Sequence, residues 1–382
     1  MDLNFSPEEE AFRAEVRAFL ADKLPARLSE KVRSGKHLTR DDMAQWHAIL
    51  NQRGWLANHW PEQYGGPGWN AVQKFIFENE CALAHAPRIV PFGVNMLGPV
   101  LIKYGSEAQK QRWLPGIASG ELIIAIGMTE PSGGSDLAAL KTTAVRDGDG
   151  WILNGSKTFI TNGYQCDLVI VAARTDASRG PKGITLFVVE RGMEGFHNGR
   201  KLDKVGQDES DTAELFFENV RLPDENRLGP EGLGFIAMMQ RLPQERISGA
   251  VGNIAHAKAI LEETIQYVKE RKAFGQAIGS FQYNKFVIAE LVTKIEVSEA
   301  YVDQCVALHA QKKLSPIDAA KAKWWSSQVQ GEVLEACVQL HGGYGFMNEY
   351  RVARAWRDAR VTKIWAGSNE IMKELIGRDL GL

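Results

Sequence analysis

Apolar residues recur with helical spacing at both ends of this chain and gather into short strand-like runs only in its middle. That order restricts the fold more than any single residue does. Ser6-Pro7-Glu8-Glu9 has the form of a capping box with proline at the first helical position, and Phe12, Val16, Phe19 and Leu20 then repeat on one face. A turn-rich break at 61–69, containing Tyr64-Gly65-Gly66-Pro67-Gly68, interrupts the helical pattern, which resumes to about Gly120. From Glu121 the character changes. The runs 151–153, 168–171, 184–189 and 213–217 are β-branched or aromatic and separated by Gly, Asp and Asn, as strands are. Helical signals return at Leu233: Ile247, Val251, Ile254, Leu261, Ile265 and Val268 share a face, and Ser315-Pro316-Ile317-Asp318 caps a later helix. The expected fold class is α+β, with an all-α domain over 1–121, a β domain over 122–232 and a helical bundle over 233–382. Alternating βα units and a G-x-G-x-x-G turn are both absent, which argues against a doubly wound sheet.

Composition narrows the partners. The 45 Lys and Arg nearly balance the 47 Asp and Glu, so a net charge of −2 offers no basic field for nucleic acid or an anionic membrane surface. Cys81, Cys166, Cys305 and Cys337 are widely separated, form no C-x-x-C pair and suggest neither a metal site nor a disulfide framework. A reducing compartment is expected: the bacterial cytoplasm, or the mitochondrial matrix for a mature form. No stretch of ~18 apolar residues runs unbroken, and the N-terminus lacks a basic segment followed by an apolar one.

Several runs carry chemistry. They are 128–136 (MTEPSGGSD), 154–163 (NGSKTFITNG), 211–221 (DTAELFFENVR), 271–275 (RKAFG) and 339–346 (QLHGGYGF). In this order, from about residue 5 to 380, they resemble the acyl-CoA dehydrogenase family. The resemblance implies an N-terminal helical domain, a central β-barrel-like domain and a C-terminal four-helix bundle, with FAD bound between the β domain and the bundle. It also implies α,β-dehydrogenation of an acyl-CoA thioester, with an electron-transfer flavoprotein as acceptor and a homo-oligomer, a dimer of dimers.

The roles the resemblance implies make physical sense. Flavin contacts would come from Ile126, Met128, Thr129, Ser135, Phe159, Ile160 and Thr161. Hydroxyls and backbone N–H groups there would act as aligned donors to a flavin that gains negative charge on reduction. Ser135 would also touch the CoA portion, and Phe159 would pack against the isoalloxazine while serving as a strand core residue. Arg271, with a guanidinium fork suited to pyrophosphate, would reach the FAD of a neighbouring subunit together with Phe274 and Gln282. Gln339, Gly342 and Gly343 match the other half of that contact, with Ser368 and Glu370 after the last turn. His341, a single histidine, reads as structural rather than metal-binding.

Abstraction of a proton next to a thioester carbonyl needs a carboxylate in a dry site. Many short- and medium-chain members carry it in the C-terminal loop, at the position matching Ala366. Alanine cannot accept a proton. In isovaleryl and long-chain members it comes from the bundle helix, at the position matching Glu245 in the run 242–246 (LPQER), which implies Glu245 as the base here. Taken alone, Glu245 is an ordinary helix carboxylate. Pro243 removes one ladder hydrogen bond and should bend the helix just before it. Arg246, Ala366 and Gly367 would line the substrate, with the Ala366 N–H donating to the thioester oxygen. The C-terminal half, at 301–305 and 369–376, looks most like the long-chain class, and 92–96 looks more like bacterial members that handle bulky or branched acyl groups. A monooxygenase of the same fold, and a non-catalytic or nucleic-acid-binding flavoprotein, are the competing readings.

Overall fold

The computed structural model describes residues 6–89 and 91–382. Contacts divide the chain into two compact units, one formed by residues up to Asp203 and Asp208–Met238, the other by Lys204–Gln207 and Met239–Leu382.

The first unit opens with helices α1 (Pro7–Lys23), α2 (Ala26–Arg33), α3 (Arg40–Gln52), α4 (Ala71–Leu83), α5 (Gly98–Tyr104) and α6 (Glu107–Ser119). Caps set their starts. The Ser6 hydroxyl accepts from the Glu9 N–H at 3.2 Å, and the Glu9 carboxylate accepts from the Ser6 N–H at 2.7 Å, satisfying two donors that the helix itself cannot. Thr39, Asn70 and Ser106 close equivalent boxes on α3, α4 and α6. A π-helical turn, Phe92–Leu97, leads into α5.

Strands β1 (Ile124–Gly127), β2 (Thr143–Asp147), β3 (Gly150–Thr161), β4 (Leu168–Arg174), β5 (Ile184–Glu190), β6 (Phe196–Lys201), β7 (Thr212–Pro223) and β8 (Arg227–Leu228) form one sheet. Its order is β6-β7-β3-β2-β4-β5-β8, with β1 added parallel to β4. The unbroken apolar run of β4 is explained by burial on both faces. Leu168, Ile170 and Ala172 join Trp46, Trp60 and Trp113 in the core shared with the helices. Val169, Val171 and Ala173, pointing the other way, pack with Trp151, Phe187 and Phe217.

A buried ion pair lies within this interior. Lys157 of β3 is fully buried and its Nζ lies 2.8 Å from the Glu130 carboxylate, itself 4% exposed. The same carboxylate accepts the N–H groups of Lys141 at 2.6 Å and Thr142 at 2.9 Å. Beside it the Thr158 N–H donates to the Thr129 carbonyl at 2.9 Å. The loop after β1 is therefore fastened to the middle of β3.

The second unit is helical, built on α7 (Gly234–Glu270, whose first residues belong to the first unit), α8 (Gln282–Ala310), α9 (Pro316–His341), α10 (Arg351–Ala359) and α11 (Asn369–Asp379). Between α7 and α8 lies a small hairpin, β9 (Lys272–Ala273) and β10 (Gln276–Ala277). Among the buried residues of α7, the apolar ones at 247, 250, 254, 257, 260 and 261 recur at the three-and-four spacing of a helix with one apolar seam. They meet Leu291, Ile295 and Val302 of α8 and Val329, Val333 and Leu334 of α9. Pro243 lies inside α7, which stays helical on both sides of it.

Burial opposes ionisation of Glu130, but donation from Lys157, Thr142 and Lys141 outweighs it and holds the carboxyl below its ordinary value of 4.5. A depressed carboxyl stabilises the fold above its unfolded pKa, and that stability is lost as pH falls through the folded one. Thermal midpoints between pH 3 and 6 should therefore fall less steeply for Glu130→Gln than for the wild type. At neutral pH this variant, which leaves the Lys157 charge buried without its partner, should be destabilised by about 3–5 kcal/mol.

Candidate active site

In the first unit the residues matched to flavin contacts sit along two fastened segments. Ile126, on β1, and Met128 and Thr129, just after it, are half-buried, and Ser135 is exposed in the following loop. Ile160 is 2% exposed, so its side chain belongs to the sheet core and its backbone alone is left for a ligand. Thr161, at the end of β3, is half-buried.

Phe159 departs from the strand-core expectation. It is 69% exposed, although Thr158 and Ile160 on either side are buried. The cause is a register shift between Lys157 and Ile160, where β3 slips against β7 and Phe159 takes φ 58°. A bulge turns one side chain out of its alternation, and a bulky residue at positive φ is strained. The chain thus presents an aromatic ring to solvent at an energetic cost, a pattern that marks binding sites.

In the second unit, Glu245 on α7 is half-buried and Arg246 is 6% exposed. Burial lowers the Arg246 pKa, and the neighbouring Glu245 charge pulls in the opposite direction. The Arg246 Nε reaches the Ala366 carbonyl over a long 3.5 Å, bringing 246 and 366 together across 120 residues of sequence. Ala366 and Gly367 have φ of 54° and 89°. The positive φ is what calls for glycine at 367, since a β-carbon there would meet only the movable end of the Met372 side chain at 2.7 Å. Among the described residues, no acceptor receives the Ala366 N–H. Ser368 caps α11, its hydroxyl 3.4 Å from the Ile371 N–H, and Glu370 is exposed in the first turn.

A further cluster joins the remaining matched residues of this unit. Phe274 and Gly275, at φ 52° and 80°, form the two-residue turn of the β9–β10 hairpin, which leaves Phe274 95% exposed. Arg271 lies over the Tyr344 ring at 5.5 Å, which places it beside the turn containing Gly342 and Gly343. Gln339, near the end of α9, and Gln282, the first residue of α8, are exposed. His341 is buried, stacks on Tyr267 at 4.2 Å and contacts the Cys337 carbonyl through Nδ1 at 2.8 Å, a structural role. Among the described residues, no three His, Cys, Asp or Glu side chains form a cluster able to hold a metal.

Each unit presents features that suit an anionic, partly aromatic ligand. The first exposes Phe159 at positive φ; the second exposes Phe274 at positive φ and, among the described residues, holds Arg271 without a carboxylate partner and the Ala366 N–H without an acceptor. The sequence shows the segments bearing Glu130 and Lys157 but not their pairing, and it shows the segment 369–376 but neither Lys323 nor the part that Asn369 plays in holding the 366–369 turn.

A helical segment, a β-sheet and a helical bundle carrying such residues define a flavin-dependent oxidoreductase. Family models described as the N-terminal, middle and C-terminal domains of acyl-CoA dehydrogenase match residues 6–121, 125–220 and 232–381, respectively. The chain belongs to the acyl-CoA dehydrogenase family, an FAD-dependent group of oxidoreductases. It is 44% identical over 379 residues to the mitochondrial long-chain specific acyl-CoA dehydrogenase of Sus scrofa, covering 98% of this chain and 87% of that one. Identity to the mitochondrial isovaleryl-CoA dehydrogenase of Oryza sativa is 35% over 382 residues, covering 99% and 92%. The crystal structure of an acyl-CoA dehydrogenase from Geobacillus kaustophilus superposes with a TM-score of 0.90 at 40% identity, over all of both chains. No helix among the described residues is long and apolar enough to cross a membrane.

Replacing Phe159 with glycine should relieve the left-handed strain and raise the stability of the FAD-free protein by about 1 kcal/mol. The same change should weaken FAD retention. Thermal melts of the apoprotein and spectral titration with FAD check the two halves separately, and a destabilised apoprotein counts against strain at this position.

Proposed function

We propose that the chain oxidises a saturated acyl-CoA to the trans-2-enoyl-CoA, with the Glu245 carboxylate taking the α-proton. What carries this reading is the pairing of a half-buried glutamate on α7 with an alanine, tied to the adjacent Arg246, at the position where other members of the family hold their base. A carboxylate held beside the α-carbon, in a site from which the bound substrate excludes water, is the group that such a proton transfer needs. The Ala366 N–H donates to the thioester oxygen as charge develops there. Because this donor is already oriented by its turn, little reorganisation is needed when the proton leaves. FAD, when bound, supplies the acceptor for the hydride from the β-carbon.

The chain's own residues then sort into roles. Ile126, Met128, Thr129, Phe159, Ile160 and Thr161 hold and orient the flavin, and Ser135 serves the CoA portion as well. Arg246 and Gly367 shape the substrate end. Arg271, Phe274, Gln282, Gln339, Gly342, Gly343, Ser368 and Glu370 take the adenine dinucleotide, several of them across a subunit boundary. The 95% exposure of Phe274, together with 76% for Tyr283, 58% for Phe286 and 77% for Phe346, supports an oligomer in which such side chains are covered. The domain limits follow residues 1–121, 122–232 and 233–382, the acceptor is an electron-transfer flavoprotein, and the working compartment is the cytoplasm of a bacterial cell. The acyl group is long or branched, since the relatives that place their base on this helix act on such substrates.

Anaerobic mixing with a panel of acyl-CoA thioesters should bleach the bound flavin. Glu245→Gln should slow that step ~10²-fold or more while FAD content holds, and an unchanged rate would falsify Glu245 as the base. Light scattering should give about four times the 42.4 kDa chain mass, and a stable monomer with full FAD content contradicts the shared cofactor site.

A further inference from the structure

Two buried cations reach successive carbonyls of the 366–369 turn. Lys323, on α9 and 2% exposed, donates from Nζ to the Gly367 carbonyl at 2.7 Å and to Asn369 Oδ1 at 3.0 Å. Arg246, on α7, approaches the preceding carbonyl, that of Ala366. Asn369 is buried in turn, its amide directed at the Trp324 carbonyl at 3.4 Å and its oxygen 3.1 Å from the Ser327 hydroxyl. Among the described residues, neither cation forms an ion pair with a carboxylate.

Burying an ammonium group without a counter-ion is costly, and a neutral donor such as glutamine could satisfy one carbonyl at a smaller penalty. The arrangement makes sense if the lysine does more than fill a hydrogen bond. With both carbonyls engaged, the turn keeps φ of 54° at Ala366 and 89° at Gly367, and among the described residues the Ala366 N–H has no acceptor. Two positive charges close to that N–H also favour negative charge on whatever it binds.

We infer that Lys323 is a positioning residue for proton abstraction: by gripping Gly367 and Asn369 it sets the left-handed turn and thereby aims the Ala366 N–H at the thioester oxygen. The inference rests on the dehydrogenase reading above and adds to it a residue that touches neither substrate nor flavin. The charged groups acting on Lys323 are Arg246 of α7 and Glu370 of α11. Burial and then Arg246 lower its pKa, Glu370 opposes them, and the result is about 8. The ammonium is thus charged at neutral pH and loses its charge as pH rises past that value.

The test compares the wild-type holoenzyme with Lys323→Met and Lys323→Arg, using the saturated acyl-CoA that reduces the wild type fastest. The 3-oxoacyl-CoA of equal length serves as a second probe, since its bound enolate produces a long-wavelength band with oxidised flavin. Lys323→Met should reduce its flavin about 10- to 100-fold more slowly with KM changed less than about threefold, and should raise the apparent pKa of the bound 3-oxoacyl-CoA by about one unit. Lys323→Arg should restore most of both. Wild-type rate and ligand acidity in Lys323→Met overturn the inference alone, whereas a wild type that no acyl-CoA reduces overturns the dehydrogenase reading and this inference with it. If Lys323→Met does not retain FAD, pH profiles decide. The wild-type reduction rate should decline above pH about 8 and that of Lys323→Arg should not, and superimposable profiles overturn the proposal.

Discussion

The buried contact between Lys157 and Glu130 is the constraint on which the placement of the first unit's candidate ligand contacts depends. It is a buried ion pair within the sheet, and it joins two segments 27 residues apart. Apolar packing alone tolerates small slips between a loop and a strand, because one methyl contact is much like another. A carboxylate that must receive an ammonium and two backbone N–H groups does not tolerate them, since a slip would leave buried charge unsatisfied. The loop carrying Met128 and Thr129 is thus held in one register against β3. The bulge that exposes Phe159 begins immediately beyond Lys157, so the fixed point and the exported ring are adjacent in the chain. Rigidity is concentrated where a strained side chain has to be held.

The second unit solves a similar problem with different chemistry. Its site-forming turn is not part of a sheet and has no ladder to fix it, so side chains from two helices take over. Arg246 and Lys323 come from helices whose own positions are set by the apolar seam at 247, 250, 254, 257 and 261 and by the facing residues of α8 and α9. The small residues Ala250, Ala257, Ala319 and Ala322 in that core let the helices approach closely. Precision at the turn is inherited from packing many ångströms away, transmitted through two stiffly mounted cations.

Much of this was legible in the sequence, and what was legible was local. Capping boxes depend on residues three apart, and the Ser6 and Ser315 caps are formed as their spacing implies. The doubly apolar β4 announced itself through composition. The site residues became readable through ordered motifs resembling a family, and the structure draws Arg246 to Ala366 and Arg271 to the turn after α9. What stayed hidden depends on partners distant in sequence or on register. A lysine inside a β-strand run looks like a solvent-facing residue until its carboxylate is located 27 positions away. Lys323, in a helix rich in alanine, gives no sign that its head group ends on a carbonyl 44 residues later. Phe159 reads as core because alternation is assumed to continue, and a bulge is the device that breaks alternation.

The division of labour between positions 245 and 366 has a physical rationale in the backbone. Residue 366 sits at φ 54°, where any side chain is strained and a long one adds rotamer entropy to the cost of ordering. A glutamate in that place must supply both the base and, through its main chain, the donor to the thioester oxygen, so the two functions cannot be adjusted independently. Alanine there leaves a donor only. Glu245 sits instead on a helix in ordinary backbone geometry, with Arg246 beside it linking the helix to the turn. On the reading proposed above, displacing the base onto α7 would change the wall from which the proton is removed while leaving the donor at residue 366 in place.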